Sequence, residues 1–193
     1  TADQISLHAV EKVFELHEIL TRSLREQLPA DDAKQIELET AKVVFPLEVL
    51  RSLMTEISME RRAGWGEAAQ PGATQEELVA DLGRALDLLA SDAVFGLACE
   101  CLDSARSEGL RAVLTPYIRR WAPGQEAQLV TMLGRAGPEL GTFIVQIFVE
   151  LKTPEATQGM EVAFKNPNIE VRLAALAAMG EAIGDRAREE ITG

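Results

Sequence analysis

The chain of 193 residues is poor in the side chains on which most enzyme and metal chemistry draws: two cysteines, two histidines and one tyrosine. His8 and His17 stand nine residues apart, which turns them to opposite sides of a helix, so they cannot share a proton or a metal. Cys99 and Cys101 are two apart, about 200° around a helix, and cannot close a disulfide with each other or offer two thiolates to one ion. Buried thiols in a reducing compartment are the expectation. There is no G-x-S-x-G, no G-x-x-x-x-G-K-[ST], no H-E-x-x-H and no C-x-x-C, which removes the usual signatures of a hydrolase elbow, a phosphate loop, a zinc protease and a redox or zinc pair. Gly134-Arg135-Ala136-Gly137-Pro138 lacks the third glycine of a dinucleotide turn and reads as a helix stop and restart. No apolar run approaches the roughly 20 residues of a membrane helix. Basic residues are also scarce, 19 against 31 acidic ones, and the net charge of -12 repels a polyanion and favours basic or neutral partners.

What is present argues for helix. Ala, Leu, Glu and Arg dominate, β-branched runs are few, and 47% hydrophobic with 26% charged residues is the balance of a folded domain. Pro29, Pro46, Pro71-Gly72, Gly109, Pro123-Gly124, Gly137-Pro138, Thr153-Pro154, Asn166-Pro167 and Gly184 punctuate the chain. They predict helices over 3–28, 32–44, 46–63, 75–90, 92–106, 109–121, 125–135, 138–151, 154–165, 168–183 and 185–192. Thr74 with Glu77 has the spacing of a capping box before an apolar face of Leu78, Leu82, Ala85, Leu86 and Leu89. After Asn168, a capping residue, Ile169, Leu173, Leu176, Met179 and Ile183 form a stripe expected to be the core face of its helix. Residues 142–149 are apolar almost all round and would also suit a buried strand; their neighbours favour a helix, with Val145 and Val149 off the main stripe.

Pro138 and Pro167 lie 29 residues apart, and each opens a helix with an apolar residue two places on. That spacing is the footprint of a two-helix unit stacked on its neighbour. Within the second copy, residues 166–180, Asn-Pro-Asn-Ile-Glu-Val-Arg-Leu-Ala-Ala-Leu-Ala-Ala-Met-Gly, resemble the first helix of a HEAT repeat of the short bacterial, lyase-type kind, with Met179 where Leu is usual and Gly184-Asp185 as the turn. Met132-Leu133-Gly134-Arg135-Ala136-Gly137 resembles it more loosely, and residues 1–70 do not. Small Ala174, Ala175, Ala177 and Ala178 are expected to let adjacent helices approach closely, with Gly180 removing a side chain at a crowded crossing. The resemblance implies an all-α fold in which residues 75–193 form a short right-handed HEAT-like α-solenoid of about four helix pairs, and residues 1–70 an N-terminal helical cap or accessory bundle. Its last pair ends in a polar segment, Asp185 to Glu190, suited to an end cap and equally to a cut inside a longer array.

The resemblance also implies a function: a non-catalytic protein–protein interaction scaffold, without cofactor or metal, whose second helices line a concave surface. Glu100, Asp103, Glu126, Arg135, Glu155, Gln158 and Glu161 are the expected exposed polar positions there. They are mostly acidic and predict a protein or peptide partner with a basic segment. The densest aromatic and cationic cluster, Tyr117, Arg119, Arg120 and Trp121, is a second candidate patch; its plainer reading is arginines stretched beside a partly buried Trp121. Arg61-Arg62 with Trp65 is a weaker cluster of the same kind. HEAT-like DNA glycosylases, phycobilin lyases and di-iron hydroxylases show that the fold can host chemistry. Here a single His17-Glu18 pair, no evident chromophore site and the acidic charge speak against each of these. A purely structural module of a larger chain is the remaining alternative. The opening TADQISLHAVEKVFELHEIL is too charged for an export segment, the start at Thr1 suits a processed or excised piece, and a cytoplasmic location is the default expectation.

Overall fold

A computed structural model describes residues 7–58, 75–89 and 91–192. Among them it forms ten α-helices and no strand: α1 (Leu7–Gln27), α2 (Ala30–Val44), α3 (Leu47–Ser58), α4 (Gln75–Leu88), α5 (Asp92–Ser104), α6 (Glu108–Trp121), α7 (Glu126–Leu133), α8 (Pro138–Leu151), α9 (Pro154–Phe164) and α10 (Ile169–Thr192). The all-α class therefore holds. Residues 142–149 are helical, with Val145 buried and Val149 at the surface. Thr74 of the expected capping box and the Arg61-Arg62-Trp65 cluster lie outside the described residues, as do the side chains of His8, His17 and Ile183.

Helix ends follow local chemistry. Ser91 caps α5 by accepting the Val94 N–H at 3.3 Å, and Thr153 caps α9 by accepting the Ala156 N–H at 3.1 Å. Pro138 and Pro154 occupy first-turn positions where a missing N–H costs nothing. Lys152 closes α8 in the left-handed region, φ 54°. The expected break at Gly184 is a correction: α10 runs unbroken to Thr192, so there is no separate helix over 185–192 and no second helix for a fourth pair. A lone glycine costs a helix only about 1 kcal/mol, and no proline follows to stop it.

The chain divides into two compact units, residues 1–117 and 118–193, the boundary falling within α6. In the first, α1 packs on α2, α2 reaches α4, and α3 packs on α4 and α5. A Cβ on Gly109 of α6 would stand 3.2 Å from Val79 of α4, so those two helices also touch. The core here is Leu50, Met54, Ile57, Leu82, Leu86, Phe95, Leu110 and Leu114. In the second unit α7 packs on α8 and α9, and α8, α9 and α10 pack on one another around Leu129, Leu133, Ile144, Ile147 and Phe148. The contacts between alternate helices have similar reach along the chain. Val79 meets Gly109, Tyr117 bonds Leu89, Thr153 bonds Glu126 and Gly141 meets Val171.

Candidate functional site

The start of α10 is held by polar groups from its own turn and from α7. Asn166 is buried; its Nδ2 donates to the Leu133 carbonyl at 2.7 Å, and its Oδ1 accepts the Asn168 N–H at 2.8 Å. Asn168 in turn accepts the Glu170 N–H at 2.9 Å, an N-terminal cap that bears out the expected role. Arg172 curls back, its Nη1 donating to the Asn166 and Pro167 carbonyls at 2.7 and 2.9 Å. These bonds anchor the first turn of α10 at one rotation about its own axis.

That rotation presents Val171 and Ala175 to the interior, both fully buried. Val171 sits where Gly141 of α8 has no side chain; a Cβ at Gly141 would stand 2.4 Å from Val171 Cγ2. The consequence corrects the sequence-based assignment of the core face. Ile169, Leu173, Leu176 and Met179 are exposed by 60, 56, 56 and 48%. α10 carries two stripes, one of Val and Ala and one of larger side chains. The smaller one wins because it lets the helices approach closely over a glycine, where dispersion contacts are densest. The larger stripe is left as a contiguous apolar ridge, which is far less common on a protein surface than single apolar residues. Gly180 lies in the same ridge, and a Cβ there would meet nothing within 4 Å among the described atoms. Of the alanines expected to let helices approach closely, Ala175 is buried, Ala174 and Ala178 are half-buried and Ala177 is exposed; Gly180, expected at a crowded crossing, is open, which corrects that expectation.

In the other unit, α1 exposes Leu16, Ile19 and Leu20, and α2 exposes Ile36.

The residues expected from the sequence fare unevenly. Glu155, Gln158 and Glu161 are exposed on α9, and Arg135 is exposed just past α7. Glu126, expected at the surface, is buried and accepts a hydrogen bond from the Thr153 hydroxyl at 3.4 Å, so it supports α9 instead of facing solvent. Glu100 is exposed on α5 and paired with Arg51 of α3 at 3.2 Å, and Asp103 is half-buried on the same helix. The acidity is also unevenly placed: residues 118–193 hold 10 acidic and 8 basic side chains, a net of -2, and residues 1–117 hold the remaining -10.

The second candidate patch divides. Tyr117 is buried, with its hydroxyl donating to the Leu89 carbonyl at 3.2 Å, a correction to its expected place on a surface cluster. Arg119 pairs with Glu150 at 3.0 Å and lies over the Phe143 ring at 5.5 Å. Arg120 lies over the Trp121 ring at 5.7 Å, and Trp121 is 37% exposed. Both guanidiniums thus lie over aromatic rings of their own chain, Arg119 over Phe143 and only Arg120 over Trp121.

Burial pushes the Cys99 thiol up to about 12, with the Glu100 carboxylate adding to it, and burial also raises Cys101. Both stay protonated at neutral pH and are poor nucleophiles. Among the described residues no three His, Cys, Asp or Glu side chains are grouped to hold a metal ion, and no helix is long and apolar enough to cross a membrane. Compared with known proteins, the chain matches no family model, no curated protein and no solved structure.

Proposed function

We propose that this protein is a non-catalytic protein–protein interaction module built of stacked, HEAT-like helix pairs, and that the exposed face of α10 is its recognition surface. The observation that carries the reading is the ridge of Ile169, Leu173, Leu176 and Met179, an apolar face on a helix whose opposite side is already packed. Such a face gains by being covered, at about 25 cal/mol per Å² of apolar area removed from water. The repeat reading is supported by contacts between alternate helices in each unit that reach 27 to 30 residues along the chain, close to the 29 between Pro138 and Pro167. Glu155, Gln158 and Glu161 on α9 are exposed as well.

A photo-crosslinking residue placed at Leu176, with Gln146 on the exposed side of α8 as control, tests the reading in native extract. The expected outcome is a discrete protein adduct at position 176, identified by mass spectrometry, reproduced with that protein purified, and absent from position 146. Equal adducts from both positions, or none from 176, would remove α10 as the recognition surface.

A further inference from the structure

We infer that the α10 ridge receives an amphipathic α-helix of a partner protein that carries Lys or Arg along one edge of its apolar face. This rests on the reading of α10 as a recognition surface and adds the chemistry of what it recognises.

The shape of the site argues for a helix. Ile169, Leu173 and Leu176 follow one another at steps of four and three, a seam about 10 Å long that Gly180 continues, while Met179 lies about 80° round the axis from Ile169, on the Arg172 flank. A single convex ridge is best matched by another ridge set into its grooves, which is how two helices pack. Gly180 has open space where a Cβ would be, so a partner backbone can come close at that end.

The charge argues for a cationic edge. Glu170 and Glu181 are both exposed and eleven residues apart, which places them on the same flank of the ridge, about 20° apart around the axis and about 16 Å along it. The one basic side chain between residues 169 and 181 is Arg172, on the opposite flank, and its guanidinium is turned to the Asn166 and Pro167 carbonyls. One edge is therefore acidic at both ends. A helix with cations about eleven residues apart on the facing edge would meet both carboxylates while its apolar side covers the seam.

The same geometry disfavours a second copy of this chain as occupant. In an antiparallel pair of α10 helices like edges meet, so Glu170 and Glu181 of one copy would face the acidic edge of the other. In a parallel pair they would face the edge of Arg172 and Met179, where the cation is engaged by its own backbone. Each copy also brings a net charge of -12.

The test uses the full chain and two fluorescent helical peptides of equal length, each with Leu repeating at the spacing of the ridge. One carries Lys at two positions eleven apart on one edge, the other Glu at those positions. Fluorescence anisotropy is expected to show the Lys peptide binding roughly fivefold or more tightly, the preference to reverse in Glu170→Lys/Glu181→Lys, and both to be lost in Leu173→Gln/Leu176→Gln with helical circular dichroism unchanged. Equal binding of the two peptides, binding that survives the Leu173→Gln/Leu176→Gln change, or no binding would each overturn the inference. So would light scattering that shows a dimer abolished by the same leucine change. If the crosslink at Leu176 still captures a protein, the recognition surface stands and only its proposed ligand falls; if both fail, neither stands.

Discussion

Replacing Gly141 with alanine is expected to cost the second unit about 2 to 3 kcal/mol. The added Cβ would stand 2.4 Å from Val171 Cγ2, and the other two Val171 side-chain carbons are at 3.6 Å. Valine in a helix is nearly confined to one rotamer, so relief requires that α8 and α10 separate, and separation loosens every contact on the Val171–Ala175 face. Shortening the partner tests the cause. Val171→Ala alone leaves a small cavity and costs about 1 to 2 kcal/mol, but it also removes the atom that a methyl group on Gly141 would strike. The double variant Gly141→Ala/Val171→Ala should lose less than the two single losses added, by about 1 kcal/mol or more. Urea denaturation of the four proteins measures it. Additive losses would mean that these two positions do not meet. Gly159 obeys the same logic, its missing side chain giving room to the Phe148 ring at 2.4 Å from where a Cβ would be.

Asn166→Ala should cost about 2 to 3 kcal/mol, because it removes two bonds at a buried position and leaves the Leu133 carbonyl and the Asn168 N–H without that partner. The aspartate variant separates the two bonds. Its carboxylate could still accept from the Asn168 N–H, but it would set an oxygen against the Leu133 carbonyl, acceptor facing acceptor, in a buried place. Asn166→Asp should therefore be at least as destabilising as Asn166→Ala at neutral pH, and should recover part of the loss on acidification as the carboxyl gains a proton it can donate. The sign follows from the buried carboxyl's raised affinity for a proton: stability is lost as pH rises through the shifted value. Thermal melts of both variants across pH 4 to 8 would show it. An aspartate variant as stable as wild type at pH 7 would contradict the bond to Leu133.

Helix positions were legible because proline and glycine mark them. α8 begins at Pro138 and α9 at Pro154, as their sequence signals indicate, and the β-branched stretch inside α8 still forms helix between helical neighbours. Gly184 misled for the opposite reason: glycine permits a break but does not require one, and α10 continues through it. Side-chain fates were less legible where the deciding partner is distant. Glu126 looks like any surface glutamate until the Thr153 hydroxyl, one helix pair away, is set beside it. Tyr117 belongs by sequence to a cluster with Arg119, Arg120 and Trp121, and the Leu89 carbonyl draws it inside. On α10 both stripes obey helical spacing, and hydrophobicity alone selects the larger one for the core. The choice was made by α8, whose Gly141 leaves room for Val171.

Leu173 and Leu176 face solvent in the isolated protein. Thermal unfolding of Leu173→Gln/Leu176→Gln measures this directly, since glutamine keeps the helix propensity and removes only the apolar character. If the ridge is exposed, the midpoint should stay within about 3 °C of wild type. If the two leucines belong to the core, burial of two amides should cost several kcal/mol and lower the midpoint by about 10 °C or more, and α10 would have no face left to offer a partner.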